Sequence, residues 1–533
     1  MFSLTEADLE WSLKHLLRFH SSDFFPKLFE FDAIKADWPR VREHLLTLDL
    51  ATYVPKTPFT LLAPKANGTF RTVHQLEPLD ALIYTALTKR GAEVFENYRI
   101  AESEGIACSY RIAPDLNGSF FGRSEDGWSR FNERTRELAH EYSDGAVLIC
   151  DFVDFYNQIY THRLRNVIAE AGGTTLEEYT KVVEHFLHGL NDKTSRGIPV
   201  GPAASIVLAE VVLSDIDRKV LSHTSSFTRW VDDFRIFFQT IDEARSFLHE
   251  FTKYLYEVHR LVLSGEKTRL LNVIDFTGRE FHDDEETERL KRQAKVEEVA
   301  LAEYLEELDE RAGLYNSPED VFDEEEYLEL QKQLYESNRV DILADTYGEI
   351  LSEQIKRSTP DFVLLRRVFK NAARYRIRAI LRATFKHLER LLPVVREIAI
   401  YARSALTPSS ANDIAREFSR VLNLPVFRLP YVNLWISYIL QDDSFNSSPV
   451  DIGYASVLSL RDQALVARRK GDRVWIKSHK SGLDVLGPWE RRAILFGASV
   501  LSRDEMNNWL TVAGARGDAV ERALSVYMRT IRT

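Results

Sequence analysis

The chain has 533 residues, too many for one hydrophobic core, so two or more domains are expected. Charged residues make up 28% and apolar residues 44%, ordinary values for a globular protein. The formal net charge of −12 disfavours a protein that grips long duplex nucleic acid through many phosphate contacts.

Residues 1–60 read as short helices. The first of them, "MFSLTEADLEWSLKHLLRFH", carries acids at amphipathic spacing, which is not the pattern of a secretory signal. Residues 60–75, "TLLAPKANGTFRTVHQ", alternate like a hairpin with Asn-Gly at its turn. Residues 80–100 return to helical spacing. "GAVLIC" (145–150) is a compact apolar run that reads as a buried strand ending at Asp151. Residues 176–190 and 202–222 read as helices, the second with Pro202 in its first turn. "FTRWV" and "FRIFF" are strands, 241–259 is a helix, and "LVLSGEKTRLL" begins another strand. The order gives a small α+β sheet of the βαββαβ kind, with helices expected on one face.

From about residue 283 onward the pattern is helical, with breaks at Asn316–Pro318, Thr407–Ser410 and Asn446–Pro449. Irregular amphipathic helix pairs suggest a HEAT-like all-α domain without a clean repeat period. The domain boundary is expected in an acidic stretch, giving domains of 1–285 and 286–533. Residues 282–330 hold 19 acids and 5 bases, whereas 356–396 hold 12 bases and 2 acids. The acidic run reads as a solvated helix face. The basic run faces either phosphates or the acidic run.

Cys108 and Cys150, the two cysteines, stand far apart and in no metal-ligand spacing, which fits a reducing cytoplasm and excludes a disulfide scaffold. The least polar long run, "IPVGPAASIVLAEVVL" (198–213), is broken by two prolines and a glutamate, so no membrane span is expected.

Chemistry concentrates at "RWVDDFRIF" (229–237), where Asp232 and Asp233 sit at the tip of a tight hairpin. Two carboxylates about 4 Å apart repel by roughly 4 kcal/mol at an effective dielectric near 20. A bland surface turn relieves this by letting the side chains diverge, and turns favour Asp. The functional alternative is a divalent-metal site, which needs a third carboxylate. Asp151, at the end of the buried strand, supplies it if that strand neighbours the hairpin. Divalent ions between the three would activate a hydroxyl and steady a leaving pyrophosphate.

Five stretches in order, "PKANGTFR" (64–71), "DFVDFY" (151–156), "GIPVGPAAS" (197–205), "WVDD" (230–233) and "LSGEKT" (263–268), resemble the fingers and palm motifs of reverse transcriptases. The chain is most similar to the abortive-infection (Abi) polymerases of bacteria, the group of AbiK and AbiA, and within it to the branch carried by P-two-type prophages. "ACSYRIAP" (107–114) and the long helical C-terminal half support that placement. The resemblance covers roughly residues 55–275. It implies reverse-transcriptase fingers and palm followed by the HEAT-like domain.

The resemblance implies that Asp151 and Asp232 bind Mg²⁺, or Mn²⁺ in its place, with Asp233 close behind and the Phe152 carbonyl completing one shell. Tyr156 matches the steric gate that excludes a 2′-hydroxyl; packing is its alternative. Lys65 and Arg71 match the residues that hold the triphosphate, Gly201 lies in the nucleotide-binding turn, and Lys267 matches a lysine that protonates pyrophosphate. The glutamine usual in the third motif is Val200 here, and the tyrosine usual before the paired aspartates is Trp230. Both departures, with the acidic balance, point to the Abi mode: template-independent polymerisation of dNTPs from a hydroxyl of the protein itself. The single-stranded DNA product would then stay covalently attached, and the role would be anti-phage defence in the cytoplasm. Tyr53, Ser21 and Ser22 are the priming candidates, although Tyr53 also reads as a packing residue. A closed homo-oligomer, such as a trimer, is expected. The rivals are a template-dependent, retron-like enzyme copying an RNA partner and an inactive RNA-binding scaffold.

Overall fold

The computed structural model describes residues 2–122, 127–192, 194–280, 339–447 and 458–531. The expected domain boundary and the acidic run lie outside them. The chain forms two compact units. The first holds 1–22, 45–59 and the chain from 79 to 280; the second holds 23–44, 60–78 and the helices from 339 onward. Segments 23–44 and 60–78, assigned from sequence to the first domain, thus group with the C-terminal helices.

Strands β1 (Phe59–Pro64) and β2 (Phe70–Gln75) make the hairpin read from sequence. Its turn closes through the Lys65 amide donating to the Thr69 carbonyl (2.8 Å), with Gly68 at φ +79°, a conformation that glycine adopts without strain.

The first unit is built on β3 (Ala146–Cys150), β4 (Phe227–Trp230), β5 (Asp233–Phe238) and β6 (Arg269–Asn272), in the order β4-β5-β3-β6. Every pairing is antiparallel, and Cys150 lies opposite Phe234. Several helices enter between β3 and β4, ending with α1 (Ala203–Leu221); α2 (Ile241–Tyr254) joins β5 to β6. The βαββαβ order therefore stands.

Helices cover both faces of the sheet, not one. On one side Phe234 and Phe238 of β5 meet Phe251 and Phe247 of α2. On the other, Val147 and Phe237 pack with Leu138 and Phe276, from the helices Gly127–Glu141 and Val273–Glu280. The cause is legible in β3: "AVLIC" is apolar at odd and even positions, so both faces of the strand need cover.

In the second unit, helices such as Phe362–Arg374, Val395–Ala405 and Pro430–Leu440 pack on neighbours one or two along the chain. The early segments are held among these helices by buried charge. Arg492 makes a bidentate pair with Glu77 (2.9 and 3.0 Å), and Glu30 accepts from Arg461 (2.7 and 2.9 Å) and from Arg492 (3.3 Å). Phe29 stacks on Phe496, with centroids 4.2 Å apart. Within the basic run, Arg374 is buried and Arg376 and Arg378 are exposed.

Candidate functional site

The register Cys150–Phe234, carried one residue further, sets Asp151 opposite Asp233 at one end of the sheet. Asp151 is buried, Asp232 half-buried and Asp233 exposed. Desolvation raises the Asp232 carboxyl most, and repulsion from Asp151 and Asp233 adds to it, bringing its pKa to about 7. The three carboxylates expected from sequence therefore share one electrostatic field.

Lys267 joins them. The Ser264 amide donates to the Asp151 carbonyl (2.7 Å), and the Thr268 amide closes the following turn on Ser264 (2.7 Å). This turn brings the Lys267 ammonium onto the Asp151 carboxylate. Burial alone would lower the lysine's pKa, but the bond and the field of Asp151, with Asp233 and Asp232 behind it, raise it.

Phe152 is buried and bridges to Leu263. Tyr156 stands half-buried on a one-turn helix, Phe155–Gln158, and its carbonyl accepts from the Ile198 amide (2.9 Å). That bond joins the motif after β3 to "GIPVGPAAS". Gly201, at φ +126°, turns the chain between buried Val200 and Pro202, the N-cap of α1.

The carboxylate turn is strained. Val231 has φ +51°, a conformation that a β-branched residue rarely adopts. Its amide donates to Ser109 Oγ (3.0 Å) and its carbonyl accepts from Arg229 (3.2 Å). Arg229 is wholly buried, bidentate to Asp217 (2.7 Å twice) and ion-paired to Glu210 (2.9 Å), which also pairs with Arg99 (2.8 Å). Burial pushes the Glu210 carboxyl up, but Arg229 and Arg99 outweigh it and leave it below the usual range.

The sequence reading did not name this network. Its signals were present: an arginine inside the apolar strand "FTRW", and Glu210 and Asp217 seven apart on a largely apolar helix. Buried charges need partners.

"ACSYRIAP" runs beside the hairpin. Ala107 bridges to Arg229 in parallel, Ser109 holds Val231, and Tyr110 lies 5.9 Å from Trp230 between ring centroids. Trp128 packs edge-on against Trp230 at 5.4 Å.

Lys65, half-buried, and Arg71, exposed and 6.0 Å from the Phe24 ring, belong to the β1–β2 hairpin of the second unit. The Tyr53 hydroxyl donates to the buried Asp80 (2.6 Å), and its carbonyl meets His185 (3.0 Å), the packing arrangement that was its alternative reading. Ser21 and Ser22 were expected to present a hydroxyl from a polar break; both are buried.

Hard oxygen donors that repel one another suit a divalent cation, and an ammonium already sits on one of them. Among the described residues, however, no three His, Cys, Asp or Glu side chains are grouped closely enough to form a ready metal shell. Nor is any described helix long and apolar enough to cross a membrane. Both cysteines are free and buried.

No family model matches the chain, and no curated protein matches it. Among solved structures it is similar to telomerase from Candida albicans in complex with the TWJ fragment of telomeric RNA, at 10% identity and a TM-score of 0.31. The match covers 82% of this chain and 65% of the telomerase chain, so the chain spans under two thirds of that protein. The likeness is too distant to assign an activity.

Proposed function

We propose that the chain is a nucleotidyltransferase of the reverse-transcriptase type, which polymerises dNTPs. The observation that carries this reading is the convergence of Asp151, Asp232, Asp233 and Lys267 at one end of an antiparallel βαββαβ sheet. Phosphoryl transfer asks a protein chiefly for positioned charge. Asp151 and Asp232, with Asp233 and the Phe152 carbonyl, would hold divalent ions. When bound, these ions supply activation of the attacking hydroxyl and neutralise the phosphates.

Lys267, with its ammonium on Asp151, would pass a proton to leaving pyrophosphate. Tyr156, whose backbone is tied to Ile198, would offer the bulk of its ring as a sugar gate. Lys65 and Arg71 lie on the hairpin of the second unit, and their role toward a triphosphate rests on the resemblance alone. Arg229 and its carboxylates hold the aspartate turn from beneath, so the site meets its ligand pre-organised.

Within this reading, Val200, Trp230 and the net charge of −12 favour the Abi mode, in which synthesis starts without a template on a hydroxyl of the protein, in defence against phage. The bond from Tyr53 to Asp80 means that this hydroxyl would have to be released before it could prime.

The test is to incubate purified, nuclease-treated protein with Mg²⁺ and labelled dNTPs in the absence of nucleic acid. Label retained on the protein through denaturation supports the Abi mode. Label that appears only after RNA is added favours the retron-like rival, and none under either condition favours the inactive scaffold.

A further inference from the structure

The second unit contains a cavity of about 370 Å³ that shares no residue with the carboxylate site. Its walls come from residues 37–44 on one side and from the helices Arg503–Arg516 and Ala519–Thr530 on the other. Val41, Leu510 and Val526 give it an apolar floor. Three guanidinium groups line it as well: Arg40, Arg522 and Arg529.

Each arginine spends little of its fork inside the protein. Arg522 donates to the Gly517 carbonyl (2.6 Å), Arg529 to Thr511 Oγ (2.9 Å) and Arg40 to Asp37 (3.4 Å). A guanidinium carries five N–H donors, so each retains several for a ligand. Arg522 and Arg529 stand seven apart on one helix face, two turns along the same wall. Among the described residues, Asp37 is the one carboxylate lining the cavity, against three guanidinium groups and His44.

Arginine forks match phosphate oxygens in geometry and charge. An apolar floor matches the body of a small organic ligand, and the volume lies within the range of small-molecule sites. We propose that this cleft binds a free nucleotide, with its phosphates against Arg522 and Arg529 and its base on the apolar floor. The proposal does not depend on the polymerase reading, since the cleft shares no residue with the carboxylate site or with Lys65 and Arg71.

The test is photo-crosslinking of the full-length protein with radiolabelled 8-azido-dATP in EDTA, which removes binding that requires divalent ions. The expected result is saturable labelling of peptides containing residues 37–44 or 510–529, displaced by inorganic pyrophosphate. The double variant Arg522→Glu/Arg529→Glu should weaken labelling by at least about tenfold. If that variant does not fold, Arg40→Gln, at an exposed position, should still weaken it. Labelling confined to other peptides, resistance to pyrophosphate, or full labelling of a folded variant would overturn the proposal. The carboxylate site is read separately, by dNTP incorporation with Mg²⁺.

Discussion

Arg229 and Asp217 form a bidentate pair, with both bonds at 2.7 Å and neither side chain exposed, directly behind the turn that carries Asp232 and Asp233. Removing one partner of such a pair leaves a buried charge uncompensated. Arg229→Ala should therefore destabilise the first unit by about 3–5 kcal/mol, read as a lower urea midpoint. Because Arg229 also binds the Val231 carbonyl, incorporation of dNTPs should fall even at temperatures where the variant remains folded. A loss below about 1 kcal/mol would show that the pair is not what holds the turn.

Val231 stores backbone strain at φ +51°. Such positions cost about 1–3 kcal/mol for a non-glycine residue, while glycine adds roughly 1 kcal/mol of unfolded-state entropy. Val231→Gly should therefore leave thermal stability unchanged or raise it by up to about 1 kcal/mol, where a valine deletion in a packed site normally destabilises. A clear fall in Tm would mean that the valine side chain matters more than its backbone.

His15 gives the first unit a pH dependence. The ring is buried, with Nδ1 at 2.7 Å from the Gly118 carbonyl, and burial lowers its pKa to about 4 against an ordinary 6.5. Above pH 6.5 the ring is neutral in both states and stability is complete. Below it the unfolded chain takes up a proton that the folded chain refuses, so stability declines down to about pH 4, by roughly 3 kcal/mol in all. Urea titrations between pH 7 and pH 4 should show that slope, and His15→Gln should flatten it. An equal slope in the variant would assign the dependence to other groups.

Tyr156 separates gating from packing. As the sugar gate it should make the wild type prefer dNTPs over rNTPs, and Tyr156→Ala should narrow the preference by about tenfold or more, on the order of 1.4 kcal/mol. An unchanged ratio, or loss of all incorporation, would indicate that the ring packs.

Much of the site was legible because strand chemistry is local. An apolar run ending in Asp151 and two strands flanking an Asp-Asp tip required only their pairing to bring the carboxylates together, and the observed register does so. The contacts of Lys267 and Tyr156 were less legible, since they depend on turns such as Ser264–Thr268. What escaped was non-local. Glu30 and Glu77 find their arginine partners more than 400 positions away, and no sequence window relates them to Arg461 and Arg492. The burial of Ser21 and Ser22 escaped for the same reason: a short polar break reads as exposed until tertiary packing closes over it.

The central claim is that the carboxylates at the end of β3 and at the β4–β5 turn carry nucleotidyl transfer. The direct measurement is incorporation of labelled dNTP by purified wild type, Asp151→Asn and Asp232→Asn in Mg²⁺, alongside their melting temperatures in EDTA. The account predicts loss of incorporation in both variants while both stay folded, with Asp232→Asn melting no lower than wild type because a repelling charge has gone. Incorporation at the wild-type level in both variants would contradict it.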